Sequence, residues 1–456
     1  MGRRNIDPLR PNAIIYVHPD TQMTYPRNIP ISIPALLKRI PYEVNGYCAN
    51  HLPEQILQGA QVLIMDVHWF FSLRGAKELA LRARKCNPEL ILIAGGITAT
   101  EFPEQLIDKF DFDFVLRGDG ELPLPMLIKA LSGEHPLDQV PNLYGKDGFN
   151  TVFSVKSYSL NKSDFDENQF YDIDFFPFMK KELISLHARN PGMPPFIYPF
   201  ILPFRGCPIN CDFCMGAPDS QKKLFGRKVV VRSPERLAED FWELEQQSWI
   251  KFYNCLLDFI TLLPETYSEK AIRSPSRLKV QYEFTKSPTA DGLDLLLKNF
   301  NGGTIHFSAD EMHLTSKVLA DPRHLIKLVK QVQRDGRYVP ILDYSSVYSN
   351  TDRDYRKVVV EVIKHTGCLA YDGSIWWSDF PVPDAQGFGD PAKFDFYSES
   401  AVTVKHAIAN RLNATINMLD LLLPNKMLLI LRRMYYSSFY TKPLLVRDRY
   451  LEIISG

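Results

Sequence analysis

Three of the seven cysteines in this chain, Cys207, Cys211 and Cys214, lie within eight consecutive residues. Cysteine thiolates are soft ligands that suit iron–sulfur clusters and zinc. A loop that supplies three thiolates leaves one position of a four-coordinate metal open, as a catalytic cluster requires and a structural zinc site does not. The spacing therefore predicts a reactive iron–sulfur centre. A zinc site completed by a distant histidine or cysteine, or three unpaired thiols, is the alternative.

Composition narrows the classes of partner and compartment. The chain has 53 basic and 53 acidic side chains, so its formal net charge is zero, which disfavours a nucleic-acid partner. No apolar run reaches the roughly 18–20 residues that cross a bilayer. The first residues carry arginines but no apolar signal-peptide core follows them. We therefore expect a cytoplasmic protein with no integral membrane segment and no disulfide framework.

The first part of the chain alternates apolar strand candidates with amphipathic helices. Five such strands are predicted, at 13–17, 42–48, 60–68, 89–96 and 112–121. This alternation predicts an α/β fold built on a doubly wound, flavodoxin-like parallel sheet. Ligands of such sheets lie beyond the carboxyl ends of the strands, which here carry polar and glycine-rich turns.

A second alternation begins near residue 197, and its first strand runs directly into the cysteine loop. Its six strand candidates are 198–204, 250–259, 278–284, 303–310, 338–347 and 368–377. Six strand–helix units in a row predict a partial (β/α)6 barrel with its chemistry at the carboxyl-terminal rim. Ser233 and Thr289 are predicted N-caps of two barrel helices. The predicted organisation is therefore a first domain at 1–145, a connector at 146–195, the barrel at 196–385 and a helical C-terminal region at 386–456.

The cysteine loop resembles the signature of the radical S-adenosylmethionine (SAM) superfamily. The matching residues run from Arg205 and Gly206 through Pro208 and Asn210 to Phe213, which precedes the third cysteine. The resemblance implies a 4Fe–4S cluster on Cys207, Cys211 and Cys214. It also implies that SAM chelates the open iron and yields a 5′-deoxyadenosyl radical, and that Phe213 contacts the adenine.

Two further SAM contacts are suggested at later strand ends. Asp258 follows the second barrel strand and resembles the acidic residue that this superfamily places near the SAM amino group. Ser308 ends the fourth strand, where the resemblance implies a polar contact with SAM. Short polar residues at such positions also serve as helix caps or turn formers, and that alternative stays open.

The first domain resembles the cobalamin-binding domain that precedes the barrel in one class of radical SAM enzymes. The similarity lies in GGITATEFPEQL and in VLRGDGE, and with the cysteine loop it covers residues 12–310 in order. Paired glycines allow a backbone to approach a large ligand closely. The resemblance implies cobalamin contacts from two turns. These residues are Gly95, Gly96, Thr98 and Thr100 in the first turn and Arg117, Gly118, Gly120 and Glu121 in the second.

A possible cobalt ligand, His68, departs from the known pattern. Asp66-Val67-His68 resembles the start of the Asp-x-His-x-x-Gly loop that binds cobalt in other cobalamin domains, but Phe71 stands where glycine is required. We therefore expect His68, Trp69 and Phe70 to pack against the corrin rather than to ligate cobalt. The alternatives are that these residues are a buried strand end, or that the sheet is a scaffold without a corrin.

Taken together, the two resemblances imply a cobalamin-dependent radical SAM C-methyltransferase acting on an unactivated carbon of a small-molecule or peptide substrate. SAM is then used twice, as methyl donor and as radical source, with an electron donor such as flavodoxin or ferredoxin. Strand-end residues that could act on the substrate include four predicted catalytic residues, Glu311, Asp343, Tyr344 and Tyr371, together with His313 and Asp372.

Two other functions remain open on the sequence. A cobalamin-containing radical SAM enzyme could catalyse a cyclisation or rearrangement without methyl transfer. A zinc-stabilised two-domain binding protein is the non-enzymatic alternative. Methylthiolation of RNA or a ribosomal protein is disfavoured, because those enzymes carry additional N-terminal cluster cysteines and the charge balance shows no RNA footprint.

Overall fold

A computed structural model describes the parts of the chain that carry both predicted sheets. The described residues are 9–10, 13–19, 30–68, 70–145, 157–171, 200–209, 216–247, 250, 252–255, 257–264, 267, 277–311, 318–344, 354–372, 391, 394–395 and 398. Within these ranges, only the backbone is described for 71, 252–253, 310–311, 318–319, 344, 354–356 and 369–372. The predicted C-terminal helical region lies almost entirely outside the described residues.

The first sheet has six strands in the order β2-β1-β3-β4-β5-β6. Its strands are β1 (Ile14–His18), β2 (Val44–Cys48), β3 (Val62–Asp66), β4 (Ile91–Gly95), β5 (Phe114–Leu116) and β6 (Leu143–Gly145). β1 to β5 are parallel, and β6 is antiparallel to β5. Because helices cover both faces of such a sheet, its central strands are apolar almost throughout, and all five residues of β1 and of β3 are buried.

Helices lie between these strands in sequence or follow β6. They are Ser32–Lys38, Glu54–Gly59, Leu73–Cys86, Ile97–Glu101, Pro103–Phe110, Pro123–Leu131, Lys162–Glu167 and Pro218–Phe225, with 3-10 turns at Ala49–His51, Phe70–Ser72 and Leu137–Gln139. Leu73–Cys86 is typical of them: Leu79, Ala80 and Ala83 are buried on one face, and charged residues occupy the other. The doubly wound parallel sheet predicted from the sequence is confirmed.

The sixth strand is a feature that the sequence pattern does not predict. Leu143–Gly145 has three residues, too few for a periodicity to appear, and it follows Asn142, which has a positive φ of 60°. Its pairing with β5 supplies an antiparallel edge to an otherwise parallel sheet.

The second sheet has five parallel strands in the order β15-β14-β11-β10-β9. Its strands are β9 (Phe252–Cys255), β10 (Lys279–Phe284), β11 (Gly303–Ser308), β14 (Tyr338–Tyr344) and β15 (Leu369–Asp372). Phe200 forms a parallel bridge with Asn254, which adds a sixth chain segment beside β9. The remaining short strands are β7 (Phe204–Arg205), β8 (Val230–Val231), β12 (Asp310–Glu311) and β13 (Val318–Leu319). The strand–helix repeat of a partial barrel is confirmed.

The helices that accompany the second sheet precede β9 or lie between its strands in sequence. They are Pro234–Gln246, Phe259–Leu262, Ala290–Asn299, Pro322–Asp335 and Asp354–Thr366. Both predicted N-caps are confirmed, since the Ser233 hydroxyl accepts a hydrogen bond from Arg236 N–H and the Thr289 hydroxyl accepts one from Gly292 N–H. Within the part of the chain that the structure describes, no helix has the length and apolarity needed to cross a membrane.

The chain divides into two compact units. The first takes the described residues of Met1–Pro195, Pro218–Val231 and Gly387–Ala401, and the second takes those of Phe196–Ala217, Arg232–Gln386 and Val402–Gly456. The described part of the predicted connector therefore belongs to the first unit, where Phe165 of the helix Lys162–Glu167 is fully buried. The predicted domain limits themselves stay a prediction.

Candidate functional site

The cysteine loop begins immediately after β7, at a glycine with a backbone conformation that other residues rarely adopt. Gly206 has a φ of 86°, and Cys207 follows it. The Cys207 N–H donates to the Gly216 carbonyl at 2.6 Å, so the two ends of the loop are joined. The Cys207 sulfur accepts the Ile209 N–H at 3.4 Å, the kind of hydrogen bond that tunes a cluster-bound thiolate. Cys211, Phe213 and Cys214 lie outside the described residues.

The strand that carries this loop is fixed by buried polar contacts of the second unit. The Arg232 N–H donates to the Pro203 carbonyl at 2.9 Å, and the Tyr267 hydroxyl bonds the Arg232 carbonyl at 2.8 Å. The guanidinium of Arg232 is itself fully buried and bonds both carboxylate oxygens of Asp240. Burial raises the pKa of Asp240 to about 6 against the opposing effect of Arg232. The base of the cysteine loop is therefore a rigid element.

At the carboxyl edge of the first sheet, the turn after β4 lies against the backbone that follows β3. Gly96 has a φ of 111°, and a Cβ there would stand 2.8 Å from the Val67 carbonyl oxygen and 2.9 Å from the His68 Cα. Gly95 differs, because nothing lies within 4 Å of where its Cβ would be. Glycine at 96 is thus required by the approach of two protein loops, whereas Gly95 leaves open space.

The two predicted threonine contacts have hydrogen-bond partners inside the fold. The Thr98 hydroxyl donates to the His68 carbonyl at 3.1 Å. The Thr100 hydroxyl donates to the Gly96 carbonyl and accepts the Gly118 N–H, both at 2.8 Å. Thr100 therefore joins the two glycine turns that the sequence predicts as walls of one site.

The second turn, after β5, depends on an aspartate that the sequence prediction missed. Asp119 is buried and bonds the Arg227 guanidinium at 2.6 and 3.0 Å, and it accepts the Leu160 N–H at 3.0 Å. In the same turn Arg117 is exposed, while Glu121 is buried and accepts a bond from Asn168 at 3.3 Å. The ion pair of Asp119 with Arg227 orients the turn.

A buried pair formed by a histidine and an aspartate joins the ends of β1 and β3. His18 Nδ1 lies 2.9 Å from one carboxylate oxygen of Asp66 and 3.0 Å from the other. The Tyr16 hydroxyl donates to the same carboxylate at 2.6 Å. His18 is fully buried, and its Nε2 has no hydrogen-bond partner among the described residues.

In the second unit, Asp258 has the role of a helix cap. It precedes the helix Phe259–Leu262 and accepts hydrogen bonds from Thr261 N–H, Tyr282 hydroxyl and Thr285 N–H, each at 3.0 Å. Its side chain also bonds the Thr261 hydroxyl. Burial raises the pKa of Asp258, while these donors favour the carboxylate.

One face of the second sheet is polar in the middle of otherwise apolar strands. Register pairs Glu283 with His306 and Ser308 with Asp343, so these side chains emerge on one side, which we call the polar face. Alternate residues such as Tyr282, Ile305 and Leu342 are fully buried on the other side. A polar face within a parallel barrel sheet is typical of a ligand-binding cavity.

Three titratable groups lie together on the polar face. His306 Nδ1 lies 2.8 Å from Asp343 Oδ2, and Asp343 Oδ1 is buried with no partner among the described residues. Burial, together with the charge of Asp343, raises the pKa of Glu283 to about 7. Burial lowers the pKa of His306, but Asp343 outweighs it, and the net effect is a raised pKa. These three residues are called the acid–histidine cluster below.

Comparison with curated proteins gives three partial matches, and no family model matches the chain. The chain is 27% identical over 188 residues to an uncharacterised methyltransferase of Pyrococcus horikoshii, covering 41% of this chain and 37% of that protein. It is 25% identical over 200 residues to the hopanoid C-3 methylase of Methylococcus capsulatus, covering 43% and 35%. It is 24% identical over 179 residues to the anaerobic magnesium-protoporphyrin IX monomethyl ester cyclase of a Synechocystis species, covering 39% and 32%. The matches thus span about a third of the length of these relatives, between 32% and 37%.

Solved structures extend the likeness to most of the chain. The radical SAM methyltransferase TsrM from Kitasatospora setae, solved with cobalamin and a 4Fe–4S cluster, matches 79% of this chain and 71% of its own with a TM-score of 0.57 and 12% identity. The cobalamin-dependent SAM radical enzyme OxsB, solved with aqua-cobalamin, matches 84% of this chain and 56% of its own with a TM-score of 0.55 and 16% identity. This chain has the fold of the cobalamin-dependent radical SAM enzymes.

The predicted residues that have not yet been described lie in different environments. Ser308 and Asp343 are register neighbours on the polar face, and Tyr371 is the register neighbour of Asp343 on β15. Phe70 is a core residue, since it is 3% exposed. Its ring meets that of Phe102 edge-on, with 5.9 Å between the ring centroids. His68 is half-buried. Trp69 and His313 lie outside the described residues, as do the side chains of Glu311, Tyr344, Tyr371 and Asp372.

The sequence prediction missed two members of the acid–histidine cluster, Glu283 and His306. A signal for them exists, because polar residues alternate with apolar ones in KVQYEF and GTIHFS. The central strands of a parallel sheet are usually apolar on both faces, so this period-two polar pattern indicates one face that meets a ligand or solvent.

Proposed function

We propose that this chain is a cobalamin-dependent radical SAM enzyme that methylates an unactivated carbon of a small-molecule or peptide substrate. The observation that carries the proposal is the cysteine loop. Cys207 stands at the base of a loop closed by its own N–H and the Gly216 carbonyl, directly after β7 and ahead of the strands of the second sheet. The likeness in fold to TsrM and OxsB, over 79% and 84% of the chain, supports the same reading.

The residues that would hold a 4Fe–4S cluster are Cys207, Cys211 and Cys214. At Cys207 the donor set fits the group, since the half-exposed sulfur already accepts a backbone N–H. When bound, the cluster supplies the electron that cleaves SAM to a 5′-deoxyadenosyl radical. The protein's part is to hold the loop rigidly, which the Arg232 and Tyr267 contacts with Pro203 and with each other do.

The polar face is the proposed location of SAM and substrate. Ser308 and Asp343 lie side by side there, as the sequence prediction for SAM and substrate contacts requires. The acid–histidine cluster supplies acceptors for hydrogen-bond donors of a bound molecule, because Asp343 Oδ1 lacks a partner within the described chain. Asp258 stays a proposed SAM neighbour, although four hydrogen bonds already fix its carboxylate as a cap.

The carboxyl edge of the first sheet fits a cobalamin. Gly95 leaves open space, and the turns at Gly96 and Gly118 are fixed through Thr100. When bound, the corrin supplies a cobalt centre that carries a methyl group. The turn residues Arg117, Gly120 and Glu121 are proposed as its second wall.

Methyl transfer is favoured over other radical chemistry by the relatives. The Pyrococcus protein is named a methyltransferase, the Methylococcus protein a methylase and TsrM a methyltransferase. The second candidate, cyclisation without methyl transfer, is supported by the similarity to the Synechocystis cyclase. Either reaction needs a low-potential electron donor such as flavodoxin or ferredoxin and a reducing compartment, for which we propose the cytoplasm.

The test requires no knowledge of the substrate. The full chain is reconstituted anaerobically with iron, sulfide and cobalamin, reduced, and given SAM labelled in its methyl group. We expect iron and sulfide to bind, S-adenosylhomocysteine to form and the label to move to the added cobalamin. Cys207→Ala should abolish cluster binding, whereas Cys86→Ala, a cysteine at the end of the helix Leu73–Cys86, should not.

Two results would decide against the proposal. A colourless protein with stoichiometric zinc after this treatment would favour the zinc-stabilised binding protein. Formation of 5′-deoxyadenosine without any S-adenosylhomocysteine would favour cyclisation or rearrangement over methyl transfer.

A further inference from the structure

The polar face of the second sheet meets open space within the described chain. β10, β11 and β14 each have a neighbouring strand on both sides, so a side chain on them is accessible only where its face is not covered. Glu283 and Asp343 are half-buried, and the side chains of His306 and Asp343 are 8% and 15% exposed. The opposite face of these strands is fully buried at Val280, Tyr282, Phe284, Ile305, Phe307 and Leu342. The acid–histidine cluster therefore borders accessible space and not a packed layer.

The charges of the cluster are unequal. His306 Nδ1 lies 2.8 Å from Asp343 Oδ2, so the protonated imidazole and this carboxylate form one ion pair. Glu283, the register neighbour of His306, adds a second carboxyl group. Among the described residues, the positive group that acts on Glu283 is His306 on β11, while Asp343 on β14 and Asp258 after β9 are negative. When its three groups are ionised, the cluster needs one further positive charge to be neutral.

The cluster also has hydrogen-bond acceptors to spare. Asp343 Oδ1 is buried and has no hydrogen-bond partner among the described residues. The Glu283 carboxyl group likewise receives no hydrogen bond from them. Buried acceptors are nearly always paired, so these oxygens call for a ligand that donates. An ammonium group has three donors, no acceptor and one positive charge, which matches both the unpaired oxygens and the missing charge.

We propose that the acid–histidine cluster binds a protonated amino group of the substrate, with Glu283 and Asp343 as its acceptors. This inference rests on the proposed function and adds a substrate class to it, an amine. The ionised form of Glu283 is the one that pairs with the cation. Asp343 accepts a hydrogen bond through Oδ1, because its Oδ2 is engaged by His306.

Binding of a cation at this site should depend on pH. Burial and the charge of Asp343 raise the pKa of Glu283 to about 7, so near neutrality the free site is only partly ionised. A bound cation favours the carboxylate, so binding at lower pH releases a proton. An alkylammonium, like the lysine side chain, stays protonated throughout this range. The affinity should therefore rise about tenfold from about pH 6 to about pH 8, and loss of the proton from His306 acts in the same direction.

The test uses n-butylammonium as a probe on the full chain. The chain is reconstituted anaerobically with cluster and cobalamin, kept free of reductant so that SAM is not cleaved, and titrated by calorimetry with SAM at saturation. We expect one site with a Kd in the millimolar range that is about tenfold weaker at about pH 6 than at about pH 8. The uncharged n-butanol and the anion butyrate should bind at least about tenfold more weakly than n-butylammonium. Titration at the lower pH in two buffers with different heats of ionisation should show release of a proton.

Variants show whether the cluster is the site that binds the probe. Glu283→Gln keeps the shape of the side chain and removes its charge, so it should weaken binding of n-butylammonium at least about tenfold and abolish the pH dependence. Glu239→Gln is the matched control at an exposed position of the helix Pro234–Gln246, and it should change neither. If Glu283→Gln fails to fold, the proton release and the comparison with n-butanol on the unsubstituted chain still decide.

The outcomes separate this inference from the proposed function. Equal binding of the probe by the unsubstituted chain and by Glu283→Gln would overturn the inference, as would equal binding of n-butanol. Binding of the probe only in the absence of SAM would overturn it too, because the cluster would then belong to the SAM site. A chain that forms S-adenosylhomocysteine but does not bind the probe would overturn the inference alone. A chain with zinc and no cluster would overturn the proposed function, and with it the assignment of this site to a substrate.

Discussion

Polar residues near the carboxyl ends of the strands have different partners in the two sheets. In the first sheet, Thr98 and Thr100 bond the backbone of neighbouring turns, so these hydroxyls are paired inside the fold. In the second sheet, Glu283, His306 and Asp343 meet one another on the polar face, and Asp343 Oδ1 is unpaired within the described chain. The polar groups of the first edge, including the ion pair of Asp119 with Arg227, thus hold its turns together, whereas those of the second sheet gather titratable side chains on one face.

The contrast between Asp258 and Asp343 shows what decides such a role. Both are aspartates near the carboxyl end of a strand in the second sheet. Asp258 accepts bonds from Tyr282, whose ring is fully buried on the side away from the polar face, and it caps a helix. Asp343 emerges on the polar face beside Ser308 and bonds His306. The partners that a carboxylate meets, rather than its position near a strand end, therefore determine whether its oxygens are all used within the fold.

The largest expected change in stability separates Asp258 from Asp343. Asp258→Ala should lower the free energy of unfolding by about 4 kcal/mol, because a cap is lost and buried donors of Tyr282 and Thr285 lose their acceptor. Asp343→Ala should cost about 1 kcal/mol, since it removes one bond to His306. Urea unfolding of the full chain measures both, and equal losses would contradict the assignment of the two faces.

The next largest change in stability is expected between variants of the adjacent glycines Gly95 and Gly96. Gly96→Ala should cost about 3 kcal/mol, because its Cβ would stand under 3 Å from backbone atoms of the loop after β3 and its φ is positive. Gly95→Ala is the matched control and should change stability by less than about 0.5 kcal/mol, since its Cβ meets nothing within 4 Å. Thermal unfolding gives both values, and a tolerated Gly96→Ala would show that the two loops do not approach as described.

A smaller effect is expected where the two glycine turns are joined. Thr100→Val keeps the shape of the side chain but removes the bonds to the Gly96 carbonyl and the Gly118 N–H. The expected loss is about 1.5 kcal/mol. Amide hydrogen exchange should show faster exchange at Gly118, whose donor loses its acceptor. An unchanged rate at Gly118 would contradict the link between the turns.

The last comparison is a pH dependence in the second sheet. The pKa of Glu283 is raised from 4.5 to about 7, so the unfolded chain releases this proton at lower pH than the folded chain does. Its contribution to stability is therefore present at low pH and lost as pH rises from about 4.5 to about 7. The raised pKa of His306 acts in the same direction at higher pH. Glu283→Gln should flatten the decline in stability across the lower window, and an unchanged decline would contradict the coupling.

The sequence is sufficient to predict both sheets, because their strands are apolar runs separated by amphipathic helices. It also places Cys207 at a strand end and identifies Ser233 and Thr289 as caps, since these depend on local order alone. The sixth strand of the first sheet is not predictable in this way, because three residues show no periodicity and depend on β5 for pairing.

The candidate site is less predictable, since its contacts join residues far apart in sequence. His18 and Asp66 are 48 positions apart, and His306 and Asp343 are 37 apart. Nothing near His18 in the sequence indicates a carboxylate partner, so the sequence does not single out this histidine. Asp119 stands between two predicted glycines, but its partner Arg227 lies 108 residues later and only the fold brings them together.

The central claim is that the cysteine loop holds a cluster with one iron open to SAM. The most direct measurement is electron paramagnetic resonance of the reduced, reconstituted full chain with and without SAM. The account predicts a 4Fe–4S signal in the unsubstituted protein that changes when SAM is added, and no such signal in Cys207→Ala. A signal unaffected by saturating SAM, or stoichiometric zinc with no cluster, would contradict it.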